Sequence, residues 1–242
     1  MKINMIGSGS IGSVRMSACT LVDDHILIEV PNGIIKYLKN QEHDIMQIDT
    51  ILITHFHGDH FFDLPFYLLE FYFHRKKKKI KIIGPVGLKE KVETLFEFGF
   101  PQVLQKVLSL VTIQWIELKP DDIYQDKTIK VEAKEVEHGS LKPALGYLIT
   151  IGNKTLAYSG DTSLCSNVLY LVEHASLSIL DMSLKRTGNG EHMGYKDICK
   201  ICEDYPDKRV IVTHMRDDTI LQVMAQPLRN MTLPTKYYEI EI

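Results

Sequence analysis

Thr54-His55-Phe56-His57-Gly58-Asp59-His60 directly follows the apolar run Ile48-Asp49-Thr50-Ile51-Leu52-Ile53. Three imidazoles and a carboxylate within six positions are too dense for ordinary solvated surface and too costly to bury without partners. Nitrogen and oxygen donors of this kind suit zinc and its first-row neighbours, manganese and iron included, and the lack of cysteine argues against a closed finger-type site. Just past a strand end alternate residues project the same way, so His55 and His57 can grip one ion. A sharp turn at Gly58 would then aim Asp59 and His60 at a second point nearby.

Three later segments follow β-type runs and end in further donors. They are His138 in Val136-Glu137-His138-Gly139-Ser140, Asp161 in Tyr158-Ser159-Gly160-Asp161-Thr162, and His214 in Val212-Thr213-His214-Met215. Taken with His-x-His-x-Asp-His, these segments, in this order, resemble the metallo-β-lactamase superfamily over nearly the whole chain. The resemblance implies an α/β fold, a four-layer αβ/βα sandwich of two mixed sheets flanked by helices. It also implies two divalent ions, zinc being the expected metal. The first ion falls to His55, His57 and His138, the second to Asp59, His60 and His214, and Asp161 bridges them. A water shared by two such ions ionises near neutral pH and becomes a hydroxide nucleophile, which Asp59 would help to orient.

Within the superfamily the chain is most similar to the tRNase Z and phosphodiesterase (PhnP-like) branch. Gly7-Ser8-Gly9 after the first strand, Ile83-Gly84-Pro85-Val86-Gly87, the frame His138-Gly139-Ser140 with Leu145-Gly146-Tyr147, and Val-Thr-His214-Met carry that similarity. Asp181 and His192 fall where the branch keeps an acid and a histidine thought to protonate the departing oxygen, and Lys185 and Arg186 in the same loop could clamp a phosphate. Only about twenty residues separate His138 from Asp161. They suffice for a hairpin and leave no room for the arm with which long-form tRNase Z grips tRNA. The expected activity is therefore a metal-dependent phosphodiesterase on a nucleotide-derived, cyclic or RNA substrate. A hydrolase of lactones, thioesters or lactams is the second reading, and a metal-bound binding protein without turnover the third.

The 242 residues are 45% hydrophobic, enough for one large core, and a single domain over 1–242 is expected. A net charge of -3 advertises no global affinity for nucleic acid. Four cysteines and no apolar leader point to reduced thiols, a soluble chain and a cytoplasmic setting, without membrane partners. Gly7-Ser8-Gly9-Ser10-Ile11-Gly12 matches a dinucleotide fingerprint, but β-hairpin signals follow where that motif needs a helix. Cys199-Lys200-Ile201-Cys202 reads as two helix positions. Arg75 to Lys79 reads as a solvated turn, with an RNA-backbone contact as its alternative.

Strands are expected at Ile3 to Ile6, Ser17 to Val22, His25 to Val30, Ile80 to Ile83, Val111 to Leu118 and Thr128 to Val136. The pair Ala144 to Thr150 and Lys154 to Tyr158 turns at Gly152-Asn153, and Leu177 to Ser183, Arg209 to Thr213 and an edge strand over Lys236 to Ile242 complete the set. Helices are expected at Ile34 to Leu38, Phe61 to Phe73, Lys89 to Phe98, Val103 to Leu108 and Tyr195 to Glu203. The second of these helices is apolar around much of its circumference and reads first as buried core; an exposed aromatic face on it would instead fit a homodimer or a substrate platform.

Overall fold

A computed structural model describes residues 1–234 and 238–242. The first sheet takes β1 (Lys2–Gly7), β2 (Cys19–Val22), β3 (Ile26–Ile28), β4 (Thr50–Leu52), β5 (Lys78–Pro85) and β6 (Val111–Leu118). The second takes β7 (Ile123–Gln125), β8 (Lys130–Glu135), β9 (Leu145–Ile151), β10 (Lys154–Tyr158), β11 (Leu177–Asp181), β12 (Val210–Thr213) and β13 (Met231–Thr232). The last strand, β14 (Tyr238–Glu241), returns to pair with β1, so the first sheet runs β14-β1-β2-β3-β4-β5-β6. Of the expected edge strand, Lys236 and Tyr237 lie outside the described residues. Each sheet is mixed: β3 to β6 and β10 to β13 are parallel, and the remaining neighbours are antiparallel.

Period-two alternation explains why the sheets stack in layers. Leu21, Ile51 and Ile82 face one way, onto α1 (Ile34–Asn40), α2 (Gly58–Phe61), α3 (Leu64–Phe73), α4 (Leu88–Gly99) and α5 (Leu104–Leu108). Their neighbours Val22, Leu52 and Ile83 face the other way and meet Val131, Tyr147, Ile149 and Ile179 of the second sheet. On the far side, Leu180, Val210 and Val212 pack beneath α6 (Ser166–His174), α7 (Tyr195–Asp204) and α8 (Asp217–Ala225). Strands buried on both faces read as unbroken apolar runs, and each fully buried Ile or Leu stabilises the fold by about 1.5–3 kcal/mol. This is the four-layer sandwich expected. Among the described residues no helix is long and apolar enough to cross a membrane.

Several local expectations change. The aromatic helix is broken at Phe62-Asp63 into α2 and α3, because Asp63 turns back to accept the Ile35 amide at 3.0 Å. Gly58 has no left-handed conformation; it opens α2, and a Cβ there would lie 2.7 Å from the Phe62 ring. No helix opens at Gly12. The Gly7 to Ser17 loop instead crosses to the second sheet, where Ser10 N donates to Met215 O at 3.0 Å and Met215 N to Ser8 O at 2.9 Å. Gly7 permits this path, since a Cβ would fall on Ser17 O. The basic run is turn only in part: Lys78 and Lys79 open β5, and Lys78 donates to the Met46 and Gln47 carbonyls. All four cysteines are free.

Tyr147 of β9 stitches the sheets together: its hydroxyl donates to the Ile53 carbonyl at 2.7 Å, both groups being buried. Tyr147→Phe leaves that carbonyl without its donor. The expected outcome is a loss of about 1–3 kcal/mol in urea unfolding with an unchanged m-value, and no loss would show that the hydroxyl is idle.

Candidate metal centre

The C-terminal ends of β4, β8, β10 and β12 meet on one rim and deliver His55, His138, Asp161 and His214 there. The rim follows from the parallel pairing of β3 to β6 and β10 to β13, whose carboxyl ends gather at one edge. Asp59 and His60 arrive in the first turn of α2, and His57 is its N-cap. All seven predicted ligands converge. Donor atoms of His55, His57, His138 and Asp161 lie within 4.8 Å of one another, as do those of Asp59, His60 and His214.

Each ring's second nitrogen shows which one is free. His55 Nδ1 is 3.0 Å from Thr54 Oγ1, His138 Nδ1 is 2.8 Å from the Glu191 carbonyl, and His214 Nδ1 is 2.8 Å from Ser183 Oγ. With Nδ1 carrying the proton, the Nε2 lone pairs of all three rings face inward. His55 Nε2 and His138 Nε2 each come within 3.2 Å of His57 Nδ1, three imidazole nitrogens crowded onto one point. Asp161 Oδ2 lies 3.3 Å from His60 Nε2 and 3.2 Å from His214 Nε2, and within 4.0 Å of His55 and His138. Both His60 nitrogens are buried and lack an aligned hydrogen-bond partner, although Glu29 and Asp161 stand within ion-pair distance. Converging lone pairs and orphaned nitrogens are what divalent cations resolve, so the donor set fits two ions.

Electrostatics point the same way. Burial, reinforced by the neighbouring imidazoles, holds His55 well below the ordinary histidine range, so its ring is neutral and able to coordinate. Burial also opposes charge on His60, but Asp161 and Glu29 outweigh it and push this ring well up. The two carboxylates thus favour positive charge at this point, which a cation held by the neutral ring would supply. Asp161 is held well down despite its burial by the charges of His214 and His60.

Asp181 and His192 stand apart from the two ligand sets. Asp181 is fully buried and accepts from Thr162 N at 3.1 Å, Ser183 N at 3.0 Å and Ser183 Oγ at 2.7 Å. His192 Nδ1 sits 2.9 Å from its Oδ2, and the ring stacks on His214 with centroids 5.2 Å apart. Donor atoms of this pair approach those of Asp161 and His214 within 4.8 Å, yet Asp181 has its oxygens occupied and His192 its Nδ1. Burial works against protonation of His192, but the hydrogen bond and charge of Asp181 outweigh it and raise the ring to about 9. Asp181 thus holds the His192 ring by its Nδ1 and stands 3.8 Å from His214 Nδ1. Lys185 is paired with Asp218 at 3.4 Å and stands at the edge of this loop.

Glu29 is the residue that sequence reasoning missed. It lies just past β3, fully buried at φ 66°, accepts from Thr54 N and Oγ1, and stands 3.5 Å from His60 Nδ1. An acid inside the apolar run Ile26-Leu27-Ile28-Glu29-Val30 was the available signal, since such a charge needs a partner. Thr54 relays it onward to His55, so one carboxylate orients two rings. Glu29→Gln is expected to weaken divalent-ion affinity roughly 10–100-fold in competition with a chromophoric chelator, with an unchanged far-UV spectrum. Equal affinity would remove Glu29 from the centre.

Comparison with known proteins agrees with this geometry. Ribonuclease Z of Methanosarcina acetivorans is 22% identical over 309 residues, covering 100% of this chain and 98% of that protein. Ribonuclease Z of Methanosarcina mazei is 30% identical over 122 residues, a match spanning 50% of this chain and only 37% of the relative. Human tRNase Z, short form, superposes with a TM-score of 0.79 at 20% identity, covering 100% and 99% of the two chains. A diphosphatase of the PhnP family superposes at 0.77 with 18% identity, covering 100% and 98%. At such identities the superpositions establish the fold. The profile described as the beta-lactamase superfamily domain matches residues 31–215, a span that contains every predicted ligand from His55 to His214. The chain belongs to the beta-lactamase superfamily.

Proposed function

We propose that the chain is a dinuclear metal-dependent phosphodiesterase, one catalytic domain over 1–242, acting on a nucleotide-derived, cyclic or RNA phosphodiester. The observation that carries this reading is His192, an imidazole outside both ligand sets whose Nδ1 is engaged by buried Asp181 beside His214. The ribonuclease Z relatives and the PhnP-family diphosphatase support it. His55, His57 and His138 would hold one ion and Asp59, His60 and His214 the other, with Asp161 within reach of both sets. Zinc suits this nitrogen-rich set first. Bound there, the ions supply Lewis-acid relief of charge on the phosphoryl oxygens and acidify water.

The remaining work falls to side chains. Asp59 orients the attacking water, whose oxygen joins phosphorus. His192 gives its Nε2 proton to the departing oxygen, because an alkoxide leaves poorly without one. Asp181 holds the ring by its Nδ1–H and balances its charge. The four free thiols accord with a reducing, cytoplasmic setting. The exposed rings of Phe66 and Phe73 on α3 are assigned to contact with a second copy.

Bis(p-nitrophenyl) phosphate, nitrocefin and an aryl thioester separate the chemistries in the zinc- or manganese-loaded enzyme. Turnover of the phosphate alone is expected, and turnover of the other two alone would overturn the reading. His192→Ala is expected to cost roughly 10²–10⁴-fold on a diester with an alkyl leaving group and far less on one releasing p-nitrophenol. Equal losses on both would remove the proton donor. Sedimentation equilibrium at micromolar concentration is expected to give twice the chain mass, and a monomer would end the assignment of Phe66 and Phe73.

A further inference from the structure

Two clefts open onto the cluster, one on each side of Ile11 at the tip of the Gly7 to Ser17 loop. The first, of about 530 Å³, is bounded by His192, His214 and Arg216. The second, of about 510 Å³, runs along Gly58, Asp59 and Phe62 beneath Val14. A diester held by its phosphoryl group at the cluster must send its two substituents in different directions. His192 belongs to the first cleft, so the departing alcohol lies there and the retained substituent fills the second.

The second cleft has a built character. Phe62 is 46% exposed, and its ring rests on the main chain of Gly58, where a Cβ would come within 2.7 Å of it. Opposite stand Ile11 and Val14, 76% and 92% exposed, a costly display of two branched apolar side chains unless something covers them. Their loop is tied down at both ends of the tip. Ser10 N donates to Met215 O, Ser13 Oγ donates to Asp217, and Val14 N donates to the same carboxylate at 3.3 Å. Asn32 lines the same cleft, and its amide makes no hydrogen bond among the described residues. Arg15, the cation of this cleft, is turned aside: Nη1 donates to Ser8 Oγ at 3.3 Å and to the Pro234 carbonyl at 3.0 Å. An aromatic wall, an apolar wall and an open amide edge, with the Arg15 guanidinium drawn off to the Ser8 and Pro234 oxygens, suit a flat, uncharged heteroaromatic ring better than a further phosphate.

We propose that this cleft is a nucleoside subsite, in which the base of the retained substituent stacks on Phe62 against Ile11 and Val14 while Asn32 meets its edge. The proposal rests on the phosphodiesterase reading and names the substrate class for it. The p-nitrophenyl esters of thymidine 5′-phosphate and thymidine 3′-phosphate share their leaving group with ethyl p-nitrophenyl phosphate, so the three differ only in what is retained. The metal-loaded enzyme is expected to favour at least one thymidine ester over the ethyl ester by roughly tenfold or more in kcat/KM, as stacking of one base allows. Phe62→Ala is expected to lower that ratio roughly 5- to 100-fold, mostly through KM, and Phe62→Tyr to retain it. Should Phe62→Ala fail to fold, Val14→Ser at the solvent-facing tip is expected to lower the ratio in the same direction. Absence of any preference in the wild type, or equal losses on all esters in the variants, would overturn the subsite alone. Failure to hydrolyse any of the three with metal bound would overturn the phosphodiesterase reading, and the subsite with it.

Discussion

One oxygen, Asp161 Oδ2, stands within 4.0 Å of nitrogens from His55, His60, His138 and His214. Those four rings come from elements spread over most of the chain; the outer nitrogens of His55, His138 and His214 are held by Thr54, Glu191 and Ser183, and Glu29 stands 3.5 Å from that of His60. Lone pairs gathered this closely repel unless a cation sits among them, so the local geometry makes sense only as a binding centre. The rest of the fold delivers it. Two parallel strand sets end on one rim, Tyr147 ties the sheets just behind that rim, and the Gly7 to Ser17 loop crosses between them beside His214. His214 and Glu29 both adopt positive φ, at 55° and 66°, a conformation costing each on the order of 1–3 kcal/mol. Strain at two residues flanking one cluster marks where local stability has yielded to placement.

The cluster was legible because its signal is chemical: imidazole and carboxylate at strand ends, in a spacing that few other functions require. The layered fold was legible for a related reason, since strands such as Ile51-Leu52 and Ile82-Ile83 must bury both faces. Elements with weaker local signals were not. Helix α6 starts after Cys165 and α8 after Arg216, neither of which caps through its side chain, and only the acidic first turn of α8, Asp217-Asp218, hints at either start. Strand β7 spans three residues with Ile123 and Gln125 exposed, so it shows no alternation. Glu29 was hidden by its neighbours. Its importance depends on His60 and Thr54 arriving from elsewhere in the chain, which no local pattern reveals.

The hairpin of β9 and β10 occupies the interval between His138 and Asp161, where a long arm would otherwise be inserted. On the proposed function, substrate recognition would then fall to surfaces at the rim itself. Here the chain has used the loop that looks, in one dimension, like a nucleotide-phosphate fingerprint. Its glycine at position 7 serves a close backbone crossing, and its apolar tip partitions the entrance into two clefts. The same crossing joins Ser8 and Ser10 to Met215, so the shape of the entrance is coupled to the backbone next to His214.

The proposed centre is a pair of ions sharing one carboxylate. Anomalous diffraction above and below the zinc edge, from crystals grown with zinc, tests that directly. Two peaks are expected, one among His55, His57 and His138 and the other among Asp59, His60 and His214, each within bonding distance of Asp161. A peak remote from Asp161, or none at full zinc saturation, would contradict it.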